Sequence, residues 1–223
     1  MESSSPPVGP SGQNDDEPRI APLDSFDAVR HALIHDEGNR PMREKGWEPL
    51  YTASADARIA VIGQAPGNRA QASGIPWDDA SGRKLIEWLG VTEEQFRSPE
   101  LFAFLGMDFY FPGRGRSGDL PPRKGFAATW HPPLLALMPR VELVLLIGRY
   151  AQLHYLPSGR HGTLTDNVRD HRRFGPLWFP LVHPSPLNFR WQTRNPWFVT
   201  DVLPELQARV RTAVEHSGTL PDE

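Results

Sequence analysis

The chain has 223 residues, 39% of them apolar and 23% charged, with a formal net charge of −3 at pH 7. That length suits one domain with tails and a sizeable core, and the mild acidity means that any nucleic-acid contact must come from a local basic patch. Cysteine is absent, which excludes disulfides, thiolate zinc sites, cysteine-ligated iron–sulfur clusters and a cysteine nucleophile.

In chain order, residues 1–20 are rich in Ser, Pro, Gly and Asp and read as a disordered tail. They hold no apolar core of the signal-peptide kind, and no apolar run approaches the length of a membrane span. A cytoplasmic location is the expectation. Residues 21–216 read as one domain and 217–223 as a second flexible tail.

Phe26, Val29, Leu33 and Ile34 lie at helical spacing, with Asp24 or Ser25 as cap. A polar loop is predicted over 36–54, anchored by Trp47 and Leu50. Residues 58–62 (Arg-Ile-Ala-Val-Ile) read as a buried strand running into Gly63-Gln64-Ala65-Pro66-Gly67. A long loop, 68–80, is expected next, and loops of that length in compact domains often carry function. Ser81 is expected to cap a helix carrying Leu85, Ile86, Trp88 and Leu89, closed by Gly90. Thr92-x-x-Gln95 has the capping-box pattern and opens another helix, which 98–105 extends or repeats.

Asp108-Phe109-Tyr110-Phe111 reads as a short aromatic strand, and 112–124 as a loop holding Arg114, Arg116, Arg123 and Lys124. Trp130-His131-Pro132-Pro133 reads as a turn before a short helix over 134–138. Residues 141–148 form the clearest buried strand, followed by a helix over 149–155 and a polar stretch over 157–176. Trp178-Phe179-Pro180-Leu181-Val182 is the last strand and ends in His183-Pro184-Ser185-Pro186-Leu187. An amphipathic helix is expected over 196–216, kinked or restarted at Pro204.

Strands alternating with helices predict an α/β/α sandwich around a mostly parallel four-stranded sheet. Its carboxyl edge is where open α/β folds bind ligands. The Gly63–Gly67 turn lacks the Gly-Lys-Ser/Thr ending of a nucleotide-binding loop. The eight histidines show no i, i+4 spacing with a partner acid, so neither a metal nor a cofactor is expected.

Gly63-Gln64-Ala65-Pro66-Gly67 resembles the first motif of the uracil-DNA glycosylase superfamily, and His183-Pro184-Ser185-Pro186-Leu187 resembles the second. Between them, Gly74-Ile75-Pro76-Trp77 followed by Ala80-Ser81-Gly82 is similar to a segment of its bacterial and archaeal iron–sulfur branch. The resemblance covers roughly 55–210.

It implies a monomeric, monofunctional, metal-free DNA glycosylase of base excision repair that flips a deaminated base into a pocket. Gln64 and its neighbours would approach the uracil O2 edge through backbone N–H groups and position water, with Gly63, Ala65, Pro66 and Gly67 shaping the turn that meets the base. Trp77 replaces the family's stacking Phe. His183 would stabilise charge on the uracil O2. Ser185 would hold a phosphate, Leu187 would wedge into the duplex, and Arg190 and the loop of Arg114, Arg116, Arg123 and Lys124 would contact phosphates.

This chain departs from the family at three points. Ala65 stands where the best-characterised branches have a water-ordering Asp or Asn, the cluster cysteines are missing, and the base-reading Asn has no counterpart over 109–112. Tyr110 is the candidate substrate contact of that region. Asn68, just beyond the first motif, is the preferred water-ordering group among Asn68, Asp78, Asp79 and Asp108. Two other classes stay open: a superfamily member that binds damaged or single-stranded nucleic acid without excision, and a hydrolase of free nucleosides or nucleotides.

Overall fold

The computed structural model describes residues 22–116, 118–157 and 162–216. Both tails, together with Arg160 and His161 of the polar stretch, lie outside the described residues. Four strands form the central sheet: β1 (Ile59–Gly63), β2 (Phe102–Gly106), β5 (Leu143–Ile147) and β6 (Trp178–Leu181), in the order β2-β1-β5-β6. All three pairings are parallel. Two-residue strands, β3 (Arg114–Gly115) and β4 (Gly118–Asp119), make a small antiparallel hairpin between β2 and β5.

The strands read as continuous apolar runs because both faces are covered. Ala60 and Ile62, Ala103 and Leu105, and Val144 and Leu146 face one layer. That layer is built on Val29 and Leu33 of α1 (Phe26–His35), Phe126, Trp130 and Leu134 of α6 (Phe126–Ala136), and Ala151 of α7 (Gly148–Tyr155). Ile59 and Val61, Phe102 and Phe104, and Leu143 and Leu145 face the other layer. It holds Leu85 and Trp88 of α4 (Ala80–Leu89), Phe96 of α5 (Glu93–Arg97), Val168 of α8 (Leu164–Arg169), and Leu206 and Val210 of α10 (Leu203–Glu215). The expected α/β/α sandwich is therefore present, and among the described residues no helix is long and apolar enough to cross a membrane.

Several elements differ from the expectation. The second strand is Phe102–Gly106, inside the stretch read as helix, and not Asp108–Phe111. A five-residue apolar run fits a buried strand or a helix turn equally well, and pairing with β1 decides it. The aromatic run is instead bent, because Asp108 Oδ1 accepts the Tyr110 N–H at 3.1 Å. Pro132 and Pro133 lie inside α6 rather than before it. Each removes a backbone donor, but burial of Phe126, Trp130 and Leu134 on one face holds the helix.

Three polar stretches contain short helices that hydrophobic periodicity does not reveal: α2 (Arg40–Glu44), α3 (Asn68–Ser73) and α8. A six-residue helix, α9 (Phe189–Arg194), follows the second motif. Asp79, not Ser81, caps α4 by accepting the Gly82 N–H, whereas the Thr92–Gln95 capping box forms as read. A π-helical turn, Phe198–Val202, precedes α10, which restarts with Pro204 near its first position.

Candidate functional site

The site lies at the carboxyl edge of the sheet, where a cleft of about 460 Å³ opens between the loops that follow β1 and β6. The whole Gly63–Gly67 turn, Trp77, His183 and Ser185 line it. The end of β2 supplies its inner wall through Leu105 and Gly106.

The first loop is built around close approach. A Cβ on Gly63 would lie 3.1 Å from the Trp77 ring, so only glycine leaves the indole its room. A Cβ on Gly82 would lie 1.8 Å from the Trp77 carbonyl oxygen, which brings the first turn of α4 against the Trp77 backbone. Trp77 itself has φ +58, the left-handed region that bulky residues avoid. Strain of this kind persists where surrounding contacts over-determine it, and it concentrates at ligand sites. Arg97 Nη1 donates to the Pro76 carbonyl and helps hold the segment.

The second loop is tied at both ends. The Leu181 carbonyl accepts from Gln152 Nε2 at 2.9 Å, and the Gln152 side-chain oxygen accepts in turn from Asn167 Nδ2 at 3.1 Å. Asn188 Nδ2 donates to the His183 carbonyl at 2.7 Å. The imidazole thus stands on a fixed backbone, with its ring centroid 5.6 Å from that of Trp77. Burial holds the His183 pKa below the ordinary histidine value, while the carboxylates of Asp79 and Asp119 pull the other way. A neutral ring results, with one N–H to donate.

Asn68, Tyr110, Arg114, Arg116 and Arg190 do not line the cleft. Asn68 heads α3 and is exposed. Tyr110 is buried in the α6-side core, and the Arg123 guanidinium lies 5.4 Å from its ring. Burial pushes its hydroxyl up to about 12, so Tyr110 packs rather than facing a substrate. Arg114 and Arg116 are exposed at the hairpin, and Arg190 is exposed on α9. Leu187 lies in the 3₁₀ turn Pro186–Asn188.

Arg123 and Asp108, both considered as site groups, are spent on each other. Arg123 Nε and Nη2 donate to the two Asp108 oxygens at 2.7 and 2.8 Å, and Asp108 is 1% exposed. With β2 ending at Gly106, the position that closes the second strand carries no side chain. A Cβ there would lie 2.2 Å from the Asp108 carbonyl oxygen and 3.3 Å from Ala65 Cα.

Three site residues were not legible in the sequence. Gly106 was hidden by the misplaced strand. His131, read as part of a turn, places Nε2 2.8 Å from the Gly106 carbonyl and Nδ1 2.5 Å from the Tyr155 hydroxyl. Its pKa is lowered by burial to about 4, so the neutral ring donates from Nε2 and accepts at Nδ1. Asp119 lines the cleft from a hairpin noticed only for its arginines. Its Gly-Asp-Leu context was the available signal.

The model of the uracil DNA glycosylase superfamily matches residues 50–207. The chain belongs to that superfamily. The matched span runs from the segment before β1 through the first turn of α10 and includes every cleft-lining residue. The superfamily is one of glycosylase-type proteins that act on DNA, with a general connection to DNA repair.

Proposed function

We propose that this protein is a monofunctional DNA glycosylase that hydrolyses the N-glycosidic bond of uracil, or of another deaminated base, in DNA. The observation that carries the reading is that a flat indole face and a neutral imidazole N–H share one cleft with a glycine-flanked backbone turn.

The reacting bond is out of reach in stacked DNA, so the nucleotide must be flipped. Trp77 offers the π-face on which a pyrimidine stacks. As the C1′–N1 bond breaks, negative charge grows on the base, and His183 donates its N–H to the O2 position. A neutral donor aimed in advance at developing charge gains most where water is excluded. Ser185 at the rim holds a phosphate, Leu187 wedges into the vacated stack, and Arg114, Arg116 and Arg190 meet neighbouring phosphates. No lysine is among the described residues that line the cleft, which favours hydrolysis over a Schiff base.

One observation favours binding without excision: Ala65 offers only a methyl group where a water must be ordered. An excision assay separates the readings. Single- and double-stranded oligonucleotides with one uracil, hypoxanthine or xanthine would be incubated with the protein and its His183→Ala variant, then treated with alkali. Cleavage at uracil that the variant loses supports the proposal, and cleavage at another base alone keeps the mechanism and changes the specificity. Tight binding with no abasic product would favour the binding-only reading.

A further inference from the structure

Hydrolysis needs a group that holds the attacking water; Ala65 offers none, and Gln64, expected to help position it, has its side-chain amide on the Leu120 carbonyl. We propose that Asp119 is that group, a catalytic carboxylate delivered from the β3–β4 hairpin rather than from the motif turn. The inference rests on the glycosylase reading and extends it.

Asp79 and Asp119 are the carboxylates among the described residues that line the cleft. Asp79 is already committed: its Oδ1 accepts the Gly82 N–H at 2.9 Å and caps α4. Among the described residues Asp119 caps no helix, and no cation pairs with it within ion-pair distance. Its charge does reach His183, the group that faces the opposite end of the reaction.

The carboxylate is also placed. A Cβ on Gly67 would lie 4.0 Å from Asp119 Oδ2, so the acid stands within van der Waals reach of the first-motif turn. The Gln64 side chain donates from Nε2 to the Leu120 carbonyl at 3.0 Å and clasps the hairpin to that turn. Leu120 N–H donates to the Gly113 carbonyl at 2.9 Å, and Arg114 pairs in register with Asp119, which closes the hairpin. Three residues later, Arg123 fixes the chain to buried Asp108. Gln64 therefore acts as a positioning residue, holding the hairpin through its side chain while its backbone stays in the turn.

The water oxygen bonds to C1′ while Asp119 takes one of its protons, and the C1′–N1 electron pair leaves with the base. His183 stabilises the departing anion at O2 and keeps its own proton. The base then gains a proton from solvent or from Asp119, giving the free base and an abasic sugar. The same carboxylate offsets the positive charge that builds on the sugar as the bond stretches.

The test is single-turnover excision by Asp119→Asn, Asp119→Glu and Asn68→Ala on the base the wild-type protein removes best. Each protein's affinity for a duplex with a tetrahydrofuran abasic analogue is measured alongside. Loss of a general base predicts a rate for Asp119→Asn about a hundredfold or more below wild type, with affinity undiminished and part of the rate kept by Asp119→Glu. Wild-type excision matched by Asp119→Asn overturns the assignment and leaves the glycosylase reading standing. Equal loss of affinity and rate also overturns it, by making Asp119 structural, as does a loss seen only at Asn68→Ala. Absence of excision by the wild-type protein brings down both.

Discussion

The rings of Trp77 and His183 lie 5.6 Å apart with their planes inclined at 29°, although they come from loops that follow different strands of the sheet. One loop enters the cleft in a strained left-handed conformation and the other is pinned by Gln152 and Asn188. Substituting either ring tests different parts of the chemistry. His183→Ala is expected to slow excision by about two to three orders of magnitude, as loss of an oxyanion-type donor does. Trp77→Phe should keep most activity, whereas Trp77→Ala should weaken substrate binding. Single-turnover kinetics over a range of enzyme concentrations separates these effects, and near-wild-type turnover by His183→Ala would remove it from the mechanism.

Gly82 has no space for a methyl group, because the Trp77 carbonyl occupies the position. Gly82→Ala is expected to destabilise the fold by about 1–3 kcal/mol through overpacking and to displace Trp77. Urea unfolding followed by tryptophan fluorescence reads the first effect, and excision the second. Unchanged stability would mean that α4 can shift away from the loop.

Removing Arg123 leaves the Asp108 carboxylate buried without its cation. Arg123→Ala is expected to cost about 3 kcal/mol, the range found when one partner of a buried pair is lost. Replacing Arg114, Arg116 or Arg190 by Gln should leave the unfolding midpoint nearly unchanged, since these side chains are exposed. Each should instead lower the slope of log affinity for DNA against log salt by about 0.9. A midpoint shift without a slope change at these three positions would count against their role as phosphate contacts.

Two groups make stability fall on acidification. His131 has a folded pKa of about 4, lowered by burial from 6.5. The unfolded chain therefore takes up its proton first, and this contribution is complete above pH 6.5 and lost as pH falls toward 4. For Glu205, burial raises the pKa but hydrogen bonds from Arg172, Arg209 and His171 outweigh it, taking the group from 4.5 to about 2. Its contribution is complete above pH 4.5 and lost toward pH 2. For His131 the difference amounts to about 3 kcal/mol between acid and neutral pH, and solvent screening leaves Glu205 with less. Denaturant titrations should show His131→Gln flattening the upper window alone and Glu205→Gln the lower one. The His183 shift acts in the same direction, so excision should persist below the ordinary histidine range.

The sequence by itself determined the layers. Continuous apolar runs at 59–62, 143–147 and 178–182, each ending at a Gly or Pro turn, read as strands buried on both faces, and the helices between them favour parallel pairing. The two Gly/Pro-punctuated strand ends marked the cleft before any coordinate did, because residues 63–67 and 183–185 must leave the same sheet edge. What only the tertiary structure decided was which short segments and which polar groups are consumed by neighbours. Phe102–Gly106 becomes a strand through β1, α6 runs through its prolines by packing, and Asp108 is taken by Arg123. Asp119 comes to the cleft because Gln64 holds a distant hairpin against its own turn. Local pattern fixes what a backbone segment can bury. The availability of a side chain for chemistry depends on hydrogen bonds made across the fold, and no periodicity records them.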